Sequence, residues 1–260
     1  MKKRFNMKRL VCRFIATALI FCAGNQTKVK AETMDKEIQL VQDWDKTFPK
    51  SEKVKHEKVT FKTQYGLTLT ADLYIPKNTE GKLPAIAVSG PFGAVKEQCS
   101  GLYAQTMAER GFITIAFDPS FTGESSGEPR RTASPDINTE DFLAAVDYLS
   151  MRDDVDAGRI AIIGICGWGG IALINEIRSA VLIVHGEKAH SRYFGESAFR
   201  YMMDGKAEGY DFERKPNPVP ANKQLLIIPG ASHCDLYDGG GKEMIPWDNI
   251  EEFLNKNLKL

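Results

Sequence analysis

Five short apolar runs, LPAIAVSG (83–90), FITIAFD (112–118), RIAIIGI (159–165), AVLIVHG (180–186) and QLLIIPG (224–230), recur along the second and later thirds of the chain. Each lacks the apolar–polar alternation of a strand with one wet face, so each reads as a strand covered on both sides. Between them lie stretches of helical character. CSGLYAQTMAERG ends at Gly111, NTEDFLAAVDYLSMRD opens on a capping residue (Asn138 or Thr139) and an acidic first turn, SRYFGESAFRYMM follows the fourth run, and PWDNIEEFLNKNLKL starts with proline. Strands and helices taking turns imply an α/β fold: a mostly parallel sheet with helices on both faces.

Ahead of this alternation, EKVTFKTQYGLTLTADLYIP alternates apolar and polar residues in two runs about Tyr65-Gly66. That pattern predicts an antiparallel hairpin at the sheet edge, closed by Pro76. Residues 36–56 are charged with scattered apolar positions and predict a short helix followed by a loop. The chain therefore divides into residues 1–31, a lead segment 32–55 and one domain over 56–260, a size that an α/β domain reaches without splitting.

The first segment is set apart by charge. Residues 1–31 carry eight Lys and Arg and no acidic side chain, while the whole chain balances 34 basic against 34 acidic residues. A basic start, an apolar stretch from Phe14 to Gly24 and the small-x-small sequence Val29-Lys30-Ala31 read as a cleaved signal peptide with a mature start at Glu32. An uncleaved anchor is the alternative, although the apolar stretch is short for a span and no stable membrane insertion is expected after cleavage. Export to a bacterial periplasm or medium follows. The remaining body is net acidic and excludes nucleic acid as a partner. Of five cysteines, Cys99, Cys166 and Cys234 stay with the mature chain, an odd number with no metal-ligand spacing. No structural zinc, other metal or cofactor is expected.

GICGWGG (164–170) places Cys166 between a strand and a helix, flanked by small residues that permit a sharp turn. Cys166 is then either a small core residue or a nucleophile held at the carboxyl edge of the sheet, in the place more often written G-x-S-x-G. Trp168 stands where that pattern usually has glycine. A helix N-terminus and a histidine nearby lower a thiol pKa. PGASHCDLYD (229–238) follows the last strand, and its His233 is either a loop residue or the general base, in the chain order nucleophile first and histidine last.

The successive segments SGPFGAVKEQ, FDPSFTGESSGEPR, GICGWGG, HGEKAHSRYF and PGASHCDLYD resemble the signatures of bacterial α/β-hydrolases of the dienelactone-hydrolase-like, cysteine-nucleophile type, across residues 55–258. The resemblance implies Cys166 as nucleophile and His233 as base. It implies an oxyanion hole from the N–H groups of Gly167 and of Phe92, or Gly93 beside it, Pro91 having no N–H to give. For the acid that orients His233 the resemblance expects HG-x-x-D, but Ala189 occupies the aspartate position. Glu187 takes the role, with Glu196, Asp235 or no acid as alternatives. His190 reads as a loop residue or substrate contact, Cys234 as a thiol turned to the core, and residues 118–128 as a rim loop or a solvated turn.

The chain also departs in length. Only nine residues separate Gly170 from AVLIVHG, where the resemblance calls for a further helix, a strand and a cap. A cap or lid region is thus missing, and the sheet either loses a strand or lets the next strand take its slot. The expected activity is hydrolysis of a small-molecule ester or lactone through a thioester on Cys166. The rivals are a related peptidase and a degenerate, catalytically inactive protein of the same fold.

Overall fold

In the computed structural model of the chain, the residues described are 40, 43–167, 179–205, 219–239 and 243–259. The expected signal peptide, most of the helix after GICG, and much of the Gly- and Pro-rich stretch 204–223 lie outside them.

The hairpin forms as the sequence predicts. β1 (Val54–Lys62) pairs antiparallel with β2 (Thr68–Pro76), in a register running from Lys62 opposite Thr68 to Val54 opposite Pro76. Gly66 carries the left-handed backbone of the turn at φ 77°. The first ladder residue is Val54, so the folded domain starts inside the expected lead segment. No helix occurs over 43–53; this stretch crosses the surface as irregular chain whose Phe48 is buried.

The next strands are parallel to one another. β3 (Leu83–Ser89) lies between β4 (Ile113–Phe117) and β5 (Val155–Gly164), and the five-stranded sheet runs β1-β2-β4-β3-β5. β2 joins the parallel part by pairing antiparallel with β4. Side-chain alternation in β3 divides the core. Ile86 and Val88 face α1 (Cys99–Glu109) and α5 (Trp247–Leu258), with Tyr103, Met107, Ile250 and Leu254 in that cluster. Ala85 and Ala87 face the other side, with Ile113, Ile115 and Phe117 against Phe142, Ala145 and Leu149 of α2 (Pro135–Ser150). Helices therefore cover both faces, and the apolar runs are buried for that reason.

α2 starts three residues ahead of the predicted cap. Pro135 occupies the first turn, where its missing N–H is no loss, and Asn138 reaches back to accept the Ser134 N–H at 2.9 Å. Asn138 also donates to the buried carboxylate of Asp141, which accepts from the Ser120 N–H and hydroxyl as well. Its use is to pin the loop after β4 rather than to cap the helix.

The remaining strands, β6 (Val181–Gly186) and β7 (Lys223–Ile228), form a separate parallel pair, Val181 opposite Lys223 to Gly186 opposite Ile228. Among the described residues β5 has no ladder to β6, so β6 does not take the slot beside β5. α3 (Arg192–Asp204) follows β6, and the single turn α4 (Asp235–Asp238) follows β7. No helix among the described residues is long and apolar enough to cross a membrane.

Candidate active site

Three loops leave the carboxyl ends of β3, β5 and β7, the edge of a parallel sheet where sites form. β5 is extended by one hydrogen bond, Ile165 N–H to Ser89 C=O at 3.1 Å. The chain then turns at Cys166, whose φ is +60°. A non-glycine residue held there carries a backbone cost of about 1–2 kcal/mol, which a buried structural cysteine has no reason to bear. The turn leaves Cys166 exposed at the sheet edge. Gly167 follows against the exposed ring of Phe92, which a methyl group on Gly167 would push aside.

His233 arrives from the end of β7. Its Nε2 lies 3.3 Å from Cys166 Sγ. The imidazole is held from its other side by the Ser191 hydroxyl, 3.0 Å from Nδ1. Ser191 stands at the N-cap position of α3 yet makes no cap hydrogen bond. Its side chain serves the histidine instead of the helix. The Tyr237 hydroxyl, four residues after His233 on α4, lies 3.0 Å from Nε2. The His190 ring is 5.6 Å from that of His233. Burial, and then the nearby His190, lower the His233 pKa from its ordinary value and favour the neutral imidazole.

Glu187 does not sit at Nδ1. Its carboxylate accepts the Gly230 N–H at 2.8 Å, its own N–H donates to Ile228 C=O, and Lys188 N–H donates to Ala231 C=O. The expected acid is a clamp on the loop that carries His233, and an uncharged serine occupies the orienting position. Glu196 pairs with Arg192 and Asp235 accepts the Ser232 N–H. Cys234 is exposed rather than turned to the core, and Cys99 is the buried first residue of α1, its thiol pushed up to about 12 mainly by burial.

The loops after β3 and β4 are knotted together. Asp118, fully buried, accepts the Lys96 N–H at 2.8 Å, the Lys96 ammonium at 2.9 Å and the Glu124 N–H at 2.9 Å. The same ammonium, also fully buried, lies 2.6 Å from Glu97 and 2.6 Å from Glu124. Burial works against its charge, yet the surrounding carboxylates outweigh burial and hold Lys96 protonated above the ordinary lysine range. Glu124 pairs further with Lys58 of β1 at 3.0 Å. The segment 118–128 is thus no solvated turn: it is fastened to the loop that carries Phe92.

The structure brings together Cys166, His233, Gly167 and Phe92 of the residues singled out from sequence, and sets Glu187 apart. It adds Ser191 and Tyr237, which sequence reasoning does not single out. Tyr237 has a legible signal, its four-residue spacing from His233; Ser191 has none beyond its place after the penultimate strand. No group of described His, Cys, Asp and Glu side chains is arranged to hold a metal ion.

The profile of the X-Pro dipeptidyl-peptidase (S15) family matches residues 66–186, somewhat less than half of the chain. Over its length the chain is similar to the uncharacterized protein PA2218 of Pseudomonas aeruginosa, 37% identical with 94% of each chain covered. The crystal structure of that protein superposes with a TM-score of 0.73 at 38% identity, covering 85% of this chain and 99% of the other. The E. coli protein YcjY, also uncharacterized, is 46% identical over 106 residues, which are 40% of this chain and 35% of YcjY. A dienelactone hydrolase-like promiscuous phosphotriesterase, P91, from metagenomic libraries matches with a TM-score of 0.55 at 16% identity, over 78% of this chain and 98% of its own. At that identity the likeness shows the fold alone.

Proposed function

The chain belongs to the same family as PA2218, with the α/β-hydrolase fold, and on that footing we propose that it hydrolyses small-molecule esters or lactones with Cys166 as nucleophile. The observation that carries the reading is the 3.3 Å approach of His233 Nε2 to a sulfur standing on a left-handed turn. In the working tautomer Nδ1–H donates to the Ser191 hydroxyl 3.0 Å away, which leaves the Nε2 lone pair toward the thiol. His233 takes the thiol proton, the sulfur attacks the ester carbonyl, and the oxyanion is held by the N–H groups of Gly167 and Phe92. The proton on Nε2 then goes to the departing alkoxide, leaving a thioester. Water, deprotonated by His233, hydrolyses it and frees the sulfur. A thiol needs less help than a serine hydroxyl, which accords with an uncharged partner on the histidine.

Export directed by residues 1–31 and an open, cap-free site belong to the same reading, both on the strength of sequence. A shortened chain accords with the alignment to PA2218, which extends over 366 positions against 260 residues, so that many positions of the relative stand opposite gaps. A second reading, cleavage of peptides with a penultimate proline, is favoured by the match to the S15 profile. Turnover of p-nitrophenyl acetate and of an Ala-Pro p-nitroanilide by the wild type, Cys166→Ala and His233→Ala separates these. Ester turnover abolished in both variants supports the thioester route, and anilide turnover in the wild type supports the peptidase. Background rates throughout mean an inactive member of the fold.

A further inference from the structure

Two hydroxyl or thiol donors converge on one nitrogen. His233 Nε2 has Cys166 Sγ at 3.3 Å and the Tyr237 hydroxyl at 3.0 Å, so sulfur and hydroxyl share one nitrogen as their neighbour. A neutral imidazole with its proton on Nδ1 offers a single lone pair at Nε2, so it accepts from only one of the two at a time. While the site is neutral, Tyr237 and the thiol compete for that lone pair. Once the thiol proton has moved to Nε2 the competition ends, because the nitrogen is now a donor and the sulfur carries a full negative charge. The strong acceptor left at this nitrogen is the thiolate, and the Tyr237 hydroxyl is held 3.0 Å from the same nitrogen.

We infer that Tyr237 is a third catalytic residue, whose hydroxyl donates a hydrogen bond to the Cys166 thiolate as the thiol proton passes to His233. In this step the S–H bond breaks, an N–H bond forms on Nε2, the electron pair stays on sulfur, and the tyrosine keeps its own proton. A hydrogen bond to a charged acceptor is stronger than the neutral one it replaces, so the exchange favours the ion pair. The position of Tyr237 suits this role. It lies four residues after His233 on α4, its ring is partly buried against the core, and α4 is tied to α1 by the Tyr103 hydroxyl donating to Leu236 C=O at 2.7 Å. The other titratable groups around this cluster are His190 from the loop after β6, His185 of β6, Cys234 beside His233, and Cys99 and Asp238 at the α1–α4 contact. These surround the pair, whereas among the described residues His233 meets the sulfur and Tyr237 meets the same nitrogen of His233.

The inference rests on Cys166 being the nucleophile, and its test separates the two claims. Full-length wild type, Tyr237→Phe and Cys166→Ala are alkylated with iodoacetamide from pH 5 to 9 and the modified cysteines are counted by mass spectrometry. Exposed Cys234 serves as the reference thiol in the same molecule, and buried Cys99 as a reporter of misfolding, since it reacts only if the core opens. The expected result is a wild-type Cys166 alkylated much faster than Cys234 at neutral pH. In Tyr237→Phe that rate falls roughly tenfold, with Cys99 still protected. A fast Cys166 that is equally fast in Tyr237→Phe overturns the role of the tyrosine and leaves the nucleophile standing. A wild-type Cys166 that reacts no faster than Cys234 overturns both.

Discussion

Replacing Lys96 by methionine isolates what the knot between the β3 and β4 loops contributes. The substitution keeps the aliphatic stem and removes only the ammonium. In the wild type that ammonium and Asp118 are fully buried and 2.9 Å apart, with Glu97 and Glu124 each at 2.6 Å. Without it, Asp118 keeps the two N–H donors of Lys96 and Glu124 but no counter-charge. Breaking a buried pair from one side costs about 3–5 kcal/mol, whereas an exposed pair costs roughly 0–1. In a domain of this size, about 3–5 kcal/mol lowers Tm by roughly 6–20 °C. The loss also depends on pH with a definite sign. Burial already raises the Asp118 pKa against the pull of Lys96, and losing Lys96 raises it further. A carboxyl with its folded pKa above its unfolded value binds more protons when folded. Its penalty is therefore full at neutral pH and fades as pH falls through the folded pKa toward the ordinary carboxylate range. Urea unfolding of both proteins at pH 7 and pH 5 measures this. The variant should be several kcal/mol weaker at pH 7 and recover part of the deficit at pH 5, with an unchanged m-value. A deficit under about 1 kcal/mol, or one that grows on acidification, refutes the view that this charge cluster is dry.

Four further outcomes are expected. Ser191→Ala should lower kcat for an ester roughly 3–10-fold, the worth of one neutral hydrogen bond, with KM nearly unchanged; a loss near that of His233→Ala would show instead that the histidine is displaced. Because burial and His190 lower the His233 pKa, the acid limb of kcat/KM should lie below the ordinary imidazole value of about 6.5, and His190→Gln should move it upward. Glu187→Ala frees the Gly230 N–H and the loop that delivers His233, so activity should fall several-fold while Tm, read by calorimetry, moves little. Tyr103→Phe deprives the part-buried Leu236 C=O of its donor, at about 0.5–1.5 kcal/mol of stability by urea unfolding.

The strands are legible in the sequence because each is an unbroken apolar run bounded by Gly, Pro or charged residues, and burial on both faces leaves such runs no other structure. The hairpin is legible by alternation about Tyr65-Gly66. The start of α2 is not, since Asn138 looks like a cap but is spent on Ser134 and Asp141, three residues inside the helix. At the site, Cys166 and His233 stand out because a nucleophile turn and the loop after the last strand leave local traces. The partner at Nδ1 leaves none. Whether Glu187, Ser191 or Glu196 meets the imidazole depends on the path of a short turn, fixed by Lys188 N–H on Ala231 C=O and by Gly186 packing against Ala231 and Ser232. Those are tertiary contacts between the ends of β6 and β7, and neither segment alone encodes them. The charge knot is equally hidden: Lys96, Asp118 and Glu124 read as ordinary surface charge in sequence and are joined only when β3 and β4 lie side by side.

Cys166 leaves a strand of the five-stranded sheet and His233 leaves a strand of the two-stranded one, and among the described residues no ladder joins the two sheets. Backbone pairing therefore cannot set the 3.3 Å between them. Packing across the sheet face sets it instead: α5 packs directly against β5, and α1, on the same face of the first sheet, grips the C-terminal part of the chain at three points. Tyr103 donates to Leu236 C=O beside Tyr237, its ring meets Trp247 of α5 edge-on at 4.7 Å, and Arg110 pairs with Asp248 and Glu251. Two of these grips are buried or aromatic and resist solvent; the third is partly exposed and salt-sensitive. In the proposed mechanism this separates the nucleophile's strain from the base's placement. The left-handed turn at Cys166 follows β5, while His233 and Tyr237 sit at α4, which α1 holds through Tyr103, so loosening the second support should remove the proposed activity before it removes the fold.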